Sequence, residues 1–141
     1  MSAIKIVEMD HIVLNVRDID RSLQFYIGVL GLEGERVGEF KEGKVGFPSV
    51  RINKDTIIDL FPLASGESLK AAAANDVKLE GNLNHFCMVV EKSNFDAALE
   101  SLKTRGITIR EGPVSRWGAR GRATSIYFLD PDGNEIEIRA Y

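Results

Sequence analysis

Histidine occurs only twice in this 141-residue chain, and both copies hold the same local place. His11 sits in DHIVLNV (10–16) and His85 in NHFCMVV (84–90), each directly after an Asx residue and at the start of an apolar, strand-like run. Matched imidazoles on repeated segments point to a shared task, and ligation of a divalent metal is the commonest one. A metal needs further donors, so carboxylates on strands come next. Asp59 lies in DTIIDLFPL and Glu137 in NEIEIRAY, each flanked by large aliphatic residues. A charge inside such a run belongs on a solvated face or beside a partner. Both fall in the last strand-like segment of their half of the chain. Glu135 shares the parity of Glu137, so alternation alone leaves both open.

These residues must be positioned by a repeat. After His11 comes RDIDRSLQFYIGVLG, with Leu23, Tyr26, Ile27 and Leu30 on one helical face, Asp18 or Asp20 as cap and Gly31 as stop. After His85 comes EKSNFDAALESLKTRG, with Phe95, Ala98, Leu99 and Leu102 at the same spacing, a Ser93–Asp96 capping box and Gly106 as stop. Phe25 and Tyr26 read as helix packing. Strands are expected at 34–40, 45–52 and 56–62, and again at 107–111, 122–129 and 134–140, with turns at KEGK (41–44), NKD (53–55) and DPDGN (130–134). Each half thus reads βαβββ. The first module covers about 8–63 and the second about 83–141. Between them, 64–82 is an Ala-, Gly- and Ser-rich linker with room for a helical turn through Ala71–Ala74.

Strand alternation puts His11, Val13 and Asn15 on one face and Ile12, Leu14 and Val16 on the other, which packs under the helix. His85, Cys87 and Val89 split in the same way. The expected fold class is therefore α+β: two tandem βαβββ modules forming a cupped, barrel-like sheet around a metal site, related by a pseudo-twofold axis. Cys87 shares the His85 face, although a lone strand cysteine is usually a small buried hydrophobe. In SRWGARGRATS (115–125), Arg116, Arg120 and Arg122 suit either a lid that grips an anionic substrate or a solvated hairpin. Tyr127 faces the cup if Ser125 does.

Bulk composition excludes several classes. A net charge of −3 gives no basic surface for nucleic acid or an anionic membrane. One cysteine allows no internal disulfide, no apolar stretch approaches the roughly 20 residues of a membrane span, and MSAIKIVEMD lacks the apolar core of a signal peptide. A cytoplasmic domain acting on a small molecule is the expectation. The lone DPDGN lacks the remaining positions of a calcium loop.

HIVLNVRDIDRSLQFYIGVLGL and SIYFLDPDGNEIEI, in that order, resemble the glyoxalase/bleomycin-resistance/dioxygenase group, the vicinal oxygen chelate superfamily. The resemblance spans almost the whole chain. It implies paired modules around one divalent metal, with ligands from the first and last strands of each: His11, Asp59, His85 and Glu137. The family's glutamate is the fourth residue after the glycine of DPDG, which selects Glu137 over Glu135. A carboxylate at Asp59 implies the four-ligand, glyoxalase I-like branch, a lyase or isomerase that moves a proton through an enediolate, with Glu137 as base and Asp59 as second ligand or alternative base. Asp59 is one methylene shorter than the usual glutamate. A three-ligand set would instead imply an iron-dependent extradiol dioxygenase. A fosfomycin-type thiol transferase fits Ser125 and Tyr127 but not Val13. A metal-free, bleomycin-resistance-like binder would not need both histidines. The resemblance further implies a homodimer, and the donor set suits zinc, nickel, manganese or iron.

Overall fold

The computed structural model describes residues 8–63, 78, 83–118 and 120–141. The chain forms two compact units, residues 1–65 and 66–141. Among the described residues each unit holds one four-stranded sheet, and the two sheets have the same order and sense. The predicted linker, apart from residue 78, and its helical turn at Ala71–Ala74 lie outside the described residues.

The first unit begins with β1 (His11–Val16) and continues through α1 (Ile19–Leu23), a π-helical stretch (Gln24–Val29), β2 (Glu33–Glu35), α2 (Val37–Lys41), β3 (Ser49–Arg51) and β4 (Ile57–Pro62). The strand order is β1-β4-β3-β2, with β1 and β4 parallel and the other pairs antiparallel. Leu14, Val16, Ile58 and Leu60 are buried, and α1 packs against β4, so one face of the sheet is the core. His11, Val13 and Asn15 take the other face. Asp18 caps α1 by accepting the Arg21 N–H at 3.1 Å. The predicted apolar face is only partly kept: Ser22, Leu23, Phe25 and Tyr26 are buried, while Ile27 and Leu30 are half-buried. The Leu30 N–H reaches back five residues to the Phe25 carbonyl (3.0 Å), a wider turn than an α-helix makes, and Ser22, Phe25 and Tyr26 share the buried face. Gly31, at φ 74°, ends the stretch.

The second unit contains β5 (Phe86–Val89), a 3-10 turn (Lys92–Asn94), α3 (Phe95–Thr104), β6 (Glu111–Gly118), β7 (Gly121–Leu129) and β8 (Glu135–Ala140). Its order is β5-β8-β7-β6, again with one parallel pair, β5 and β8. Phe95, Leu99 and Leu102 are the buried face of α3, as their spacing predicts.

Three local expectations are corrected. The predicted strand 34–40 stops at Glu35; Arg36 turns left-handed (φ 56°) and 37–41 is helical, with Val37 and Phe40 at helical i, i+3 spacing. The Ser93–Asp96 capping box does not form, because the 3-10 turn leads into α3 and Asn94 takes the cap position without a side-chain bond. The strand expected at 107–111 instead runs 111–118, where a bulge between Glu111 and Val114 accommodates Gly112 and Pro113 inside the ladder.

DPDGN sets the register of β8, the strand that carries Glu137. Asp130 Oδ1 accepts the backbone N–H groups of Asp132 (2.9 Å) and Asn134 (2.8 Å), Oδ2 accepts the Asn134 side-chain amide (2.9 Å), and Gly133 takes φ 82°. Removing these buried acceptors in Asp130→Ala should cost about 1–3 kcal/mol of stability in denaturant unfolding. A loss below about 0.5 kcal/mol, the scale of an ordinary surface change, would contradict this role.

Candidate metal centre

Each sheet is built so that a carboxylate on its second strand shares a face with a histidine on the parallel neighbour. In the first unit, Val13 pairs with Asp59 and His11 with Ile57, so His11 and Asp59 are diagonal neighbours on one face. Asp59 is only 8% exposed. Its Oδ1 accepts the Ser49 hydroxyl at 2.6 Å from the opposite strand, and its Oδ2 lies 3.9 Å from His11 Nε2. His11 Nδ1 is held 2.6 Å from Asp10 Oδ1. The shorter aspartate therefore comes near His11 but stops outside hydrogen-bond range.

In the second unit, Cys87 pairs with Glu137, and His85 immediately precedes the strand. Glu137 is 4% exposed. Its Oε1 lies 3.1 Å from His85 Nε2, while Oε2 accepts the Ser125 hydroxyl at 2.6 Å and an Arg139 N–H at 3.3 Å. His85 Nδ1 sits 2.6 Å from Asn84 Oδ1. The His85 ring stands edge-on to Tyr127, with centroids 5.6 Å apart. Glu135 is drawn elsewhere, to Lys78 Nζ (3.5 Å) and Arg110 Nε (3.7 Å). Of the two glutamates that alternation left open, Glu137 is the one beside His85.

The two half-sites thus share a plan. In each histidine, Nδ1 meets the Asx residue before it and Nε2 points at a carboxylate oxygen. An imidazole fixed from behind in this way is oriented as metal-ligating histidines are. At His85 both ring nitrogens are in contact, Nδ1 with the Asn84 amide and Nε2 with Glu137 Oε1, whereas at His11 only Nδ1 is within hydrogen-bond range. Among the described residues no three of His, Cys, Asp and Glu converge into a cluster; each unit offers one imidazole and one carboxylate.

Nearby groups are shaped by the same charges. Burial first, then the Glu137 carboxylate, hold the Tyr127 phenol above its usual range and keep it protonated as a donor. Cys87 is exposed rather than buried as expected. Partial desolvation of its sulfur, with the Glu137 charge adding and Arg139 opposing, pushes the thiol up to about 12, so it does not supply a thiolate.

The three loop arginines do not converge. Arg116 pairs with Glu111 in the β6–β7 hairpin, Arg122 reaches the Ser115 carbonyl and hydroxyl at 3.4 Å, and Arg120 stacks on the Tyr141 ring at 4.3 Å. Arg120 also lines a cleft of about 390 Å³ with Val89, Val90, Glu91, Lys92 and Tyr141, a lining that does not include Glu137. Ser49 and Arg139 were not singled out by sequence reasoning. Arg139 was within reach, because it shares parity with Glu137. Ser49 left no signal, because only the β3–β4 register places it opposite Asp59.

Comparison with known proteins agrees with this architecture. The chain is 34% identical over 134 residues to virulence protein STM3117 of Salmonella typhimurium, covering 94% of this chain and 83% of that one. It is 29% identical to the lactoylglutathione lyase of the same organism, covering 91% and 88%. The solved structure of integron cassette protein VCH_CASS1 from V. cholerae matches with a TM-score of 0.74 and 30% identity, covering 99% of both chains. Residues 8–138 match the family described as Glyoxalase/Bleomycin resistance protein/Dioxygenase superfamily, and with its paired βαβββ sheets this chain belongs to that superfamily.

Proposed function

We propose that this protein is a divalent-metal-dependent lyase or isomerase of the glyoxalase type, with His11, Asp59, His85 and Glu137 as metal ligands. The observation that carries the reading is that both histidines, each held from behind at Nδ1, aim Nε2 at a buried carboxylate. Two imidazoles and two carboxylates make a donor set for zinc, nickel, manganese or iron. Similarity to a lactoylglutathione lyase over most of both chains supports the same class. When bound, such a cation polarises adjacent substrate oxygens and makes the C–H beside a carbonyl more acidic.

The chain's own residues supply the remainder. Glu137 Oε1 is the working oxygen of its carboxylate, because Oε2 is already engaged by Ser125 and Arg139, and it is assigned to take and return the substrate proton. Asp59 is the second carboxylate, steadied by Ser49. Tyr127, held protonated beside His85, offers a hydrogen bond to an anionic oxygen. Arg116 and Arg122 on the β6–β7 hairpin are assigned to the outer contacts of an anionic substrate, which they would make by leaving Glu111 and Ser115, with Arg120 on Tyr141 as a more distant cation. The working assembly is a homodimer in the cytoplasm.

Elemental analysis of the purified protein checks the ligand set. About one equivalent of metal per chain is expected, with affinity lowered at least about tenfold in both Asp59→Ala and His85→Ala. Loss in His85→Ala alone would remove Asp59 from the set and turn the reading toward oxygen-dependent ring cleavage. No metal in the wild type after reconstitution would leave a binding protein.

A second expectation concerns protons. The hydrogen bond with Asp10 raises the His11 imidazole above its ordinary 6.5; partial burial opposes this, and the Asp59 charge adds to it. The folded chain therefore holds this proton more tightly than the unfolded one. The stabilisation is complete below the unfolded value and is lost as pH rises through the folded one. The same proton competes with a cation for the ring. NMR titration of metal-free protein should place the His11 midpoint above 6.5, Asp10→Asn should lower it, and metal uptake should improve as pH rises through it. A midpoint at or below 6.5 that Asp10→Asn leaves unmoved would contradict this.

A further inference from the structure

The most heavily buried cation near the candidate centre is one that the proposed ligand set does not use. Arg139 lies on β8 two residues beyond Glu137, on the same face, and is 4% exposed. Its Nη1 donates to Glu137 Oε2 (3.3 Å) and to the Trp117 carbonyl (3.0 Å). Its Nη2 donates to the carbonyls of Arg116 (2.8 Å) and Gly121 (3.2 Å). The guanidinium also lies 4.9 Å from the centre of the Tyr141 ring. Gly118 leaves it room, because a Cβ there would sit 2.3 Å from Nη1. Nε is buried without a hydrogen-bond partner among the described residues.

Burying a guanidinium is costly, and an ion pair in its place gives little net stability over apolar packing. The first unit buries no charge at the matched place, where the side chain is 38% exposed. Two residues beyond Asp59 on β4 stands Phe61, which packs against Phe47 with ring centroids 4.4 Å apart. The same backbone place therefore accepts an aromatic ring, and the second unit has an arginine there.

We infer that Arg139 is a positioning residue that makes Glu137 a one-oxygen ligand: with Ser125 it holds Oε2, so that Oε1 alone is turned to His85 and to a bound cation. This rests on the reading of Glu137 as a metal ligand. The guanidinium is itself fixed by three carbonyls of the β6–β7 hairpin, so the carboxylate's orientation is set by backbone rather than by a free side chain.

The test uses the full chain loaded with cobalt(II), whose visible absorption reports ligand geometry. Three variants are compared: Arg139→Met, Arg139→Lys, and Gly118→Ala, which keeps the cation but pushes it off its seat. Charge and position predict opposite signs, because removing a cation near a metal site tightens metal binding by charge alone. The expected result is at least about tenfold weaker cobalt binding in Arg139→Met and Gly118→Ala, with an altered spectrum, and partial recovery in Arg139→Lys. A role confined to supporting the hairpin would lower the melting temperature and leave affinity and spectrum of the folded protein unchanged. That result, or tighter binding, would overturn the inference. If the wild type takes up no cobalt, the metal reading fails, and the ¹⁵N shift of His85 Nε2 in metal-free protein decides instead. A shift that moves in Arg139→Met supports the positioning role, and one that stays put overturns it.

Discussion

The structure depends on burying a carboxylate in the middle of a sheet. Asp59 and Glu137 each occupy a strand with neighbours on both sides, flanked by residues that form the core. A buried ionised carboxylate is tolerated only where hydrogen bonds and opposite charge replace water. Each sheet meets that requirement with a serine hydroxyl at 2.6 Å and a histidine from the parallel neighbour. The parallel pairing, the position of the histidine at the strand opening and the turn that sets β8 are all needed to bring these groups together.

The two half-sites satisfy the requirement unequally, and the inequality carries chemical meaning. Glu137 has a cation, a hydroxyl and an imidazole against it, so each of its oxygens is engaged. Asp59 has a hydroxyl in contact and an imidazole 3.9 Å away. The longer side chain is the more firmly held, and the shorter one keeps an oxygen with fewer partners. In the proposed centre this leaves Glu137 with Oε1 turned to His85 and Asp59 with a longer contact to His11.

Much of this was legible in the sequence because it rests on short-range patterns. Alternation in DHIVLNV and NEIEIRAY gave the faces, Gly31 and Gly106 gave the helix ends, and the matched histidines gave the repeat. What escaped was decided by tertiary context. VGEFK is helical because Arg36 turns left-handed, which no neighbouring residue announces. SRWG opens a stretch that suits either a lid or a hairpin, and past a bulge at Gly112 and Pro113 it joins β6. Ser49 became a site residue only through cross-strand register, and Arg139, although on the right face, looked like an ordinary charge near a strand end until the hairpin closed over it.

The proposed ligand set, His11, Asp59, His85 and Glu137, can be tested on the metal itself. The most direct test is an anomalous difference map from metal-loaded crystals, recorded across the absorption edges of zinc, nickel, manganese and iron. One peak is expected about 2.0–2.2 Å from Nε2 of His11 and of His85, with an oxygen of Asp59 and of Glu137 completing the sphere. A peak that lacks either histidine, or no peak in protein shown to be folded, would contradict it.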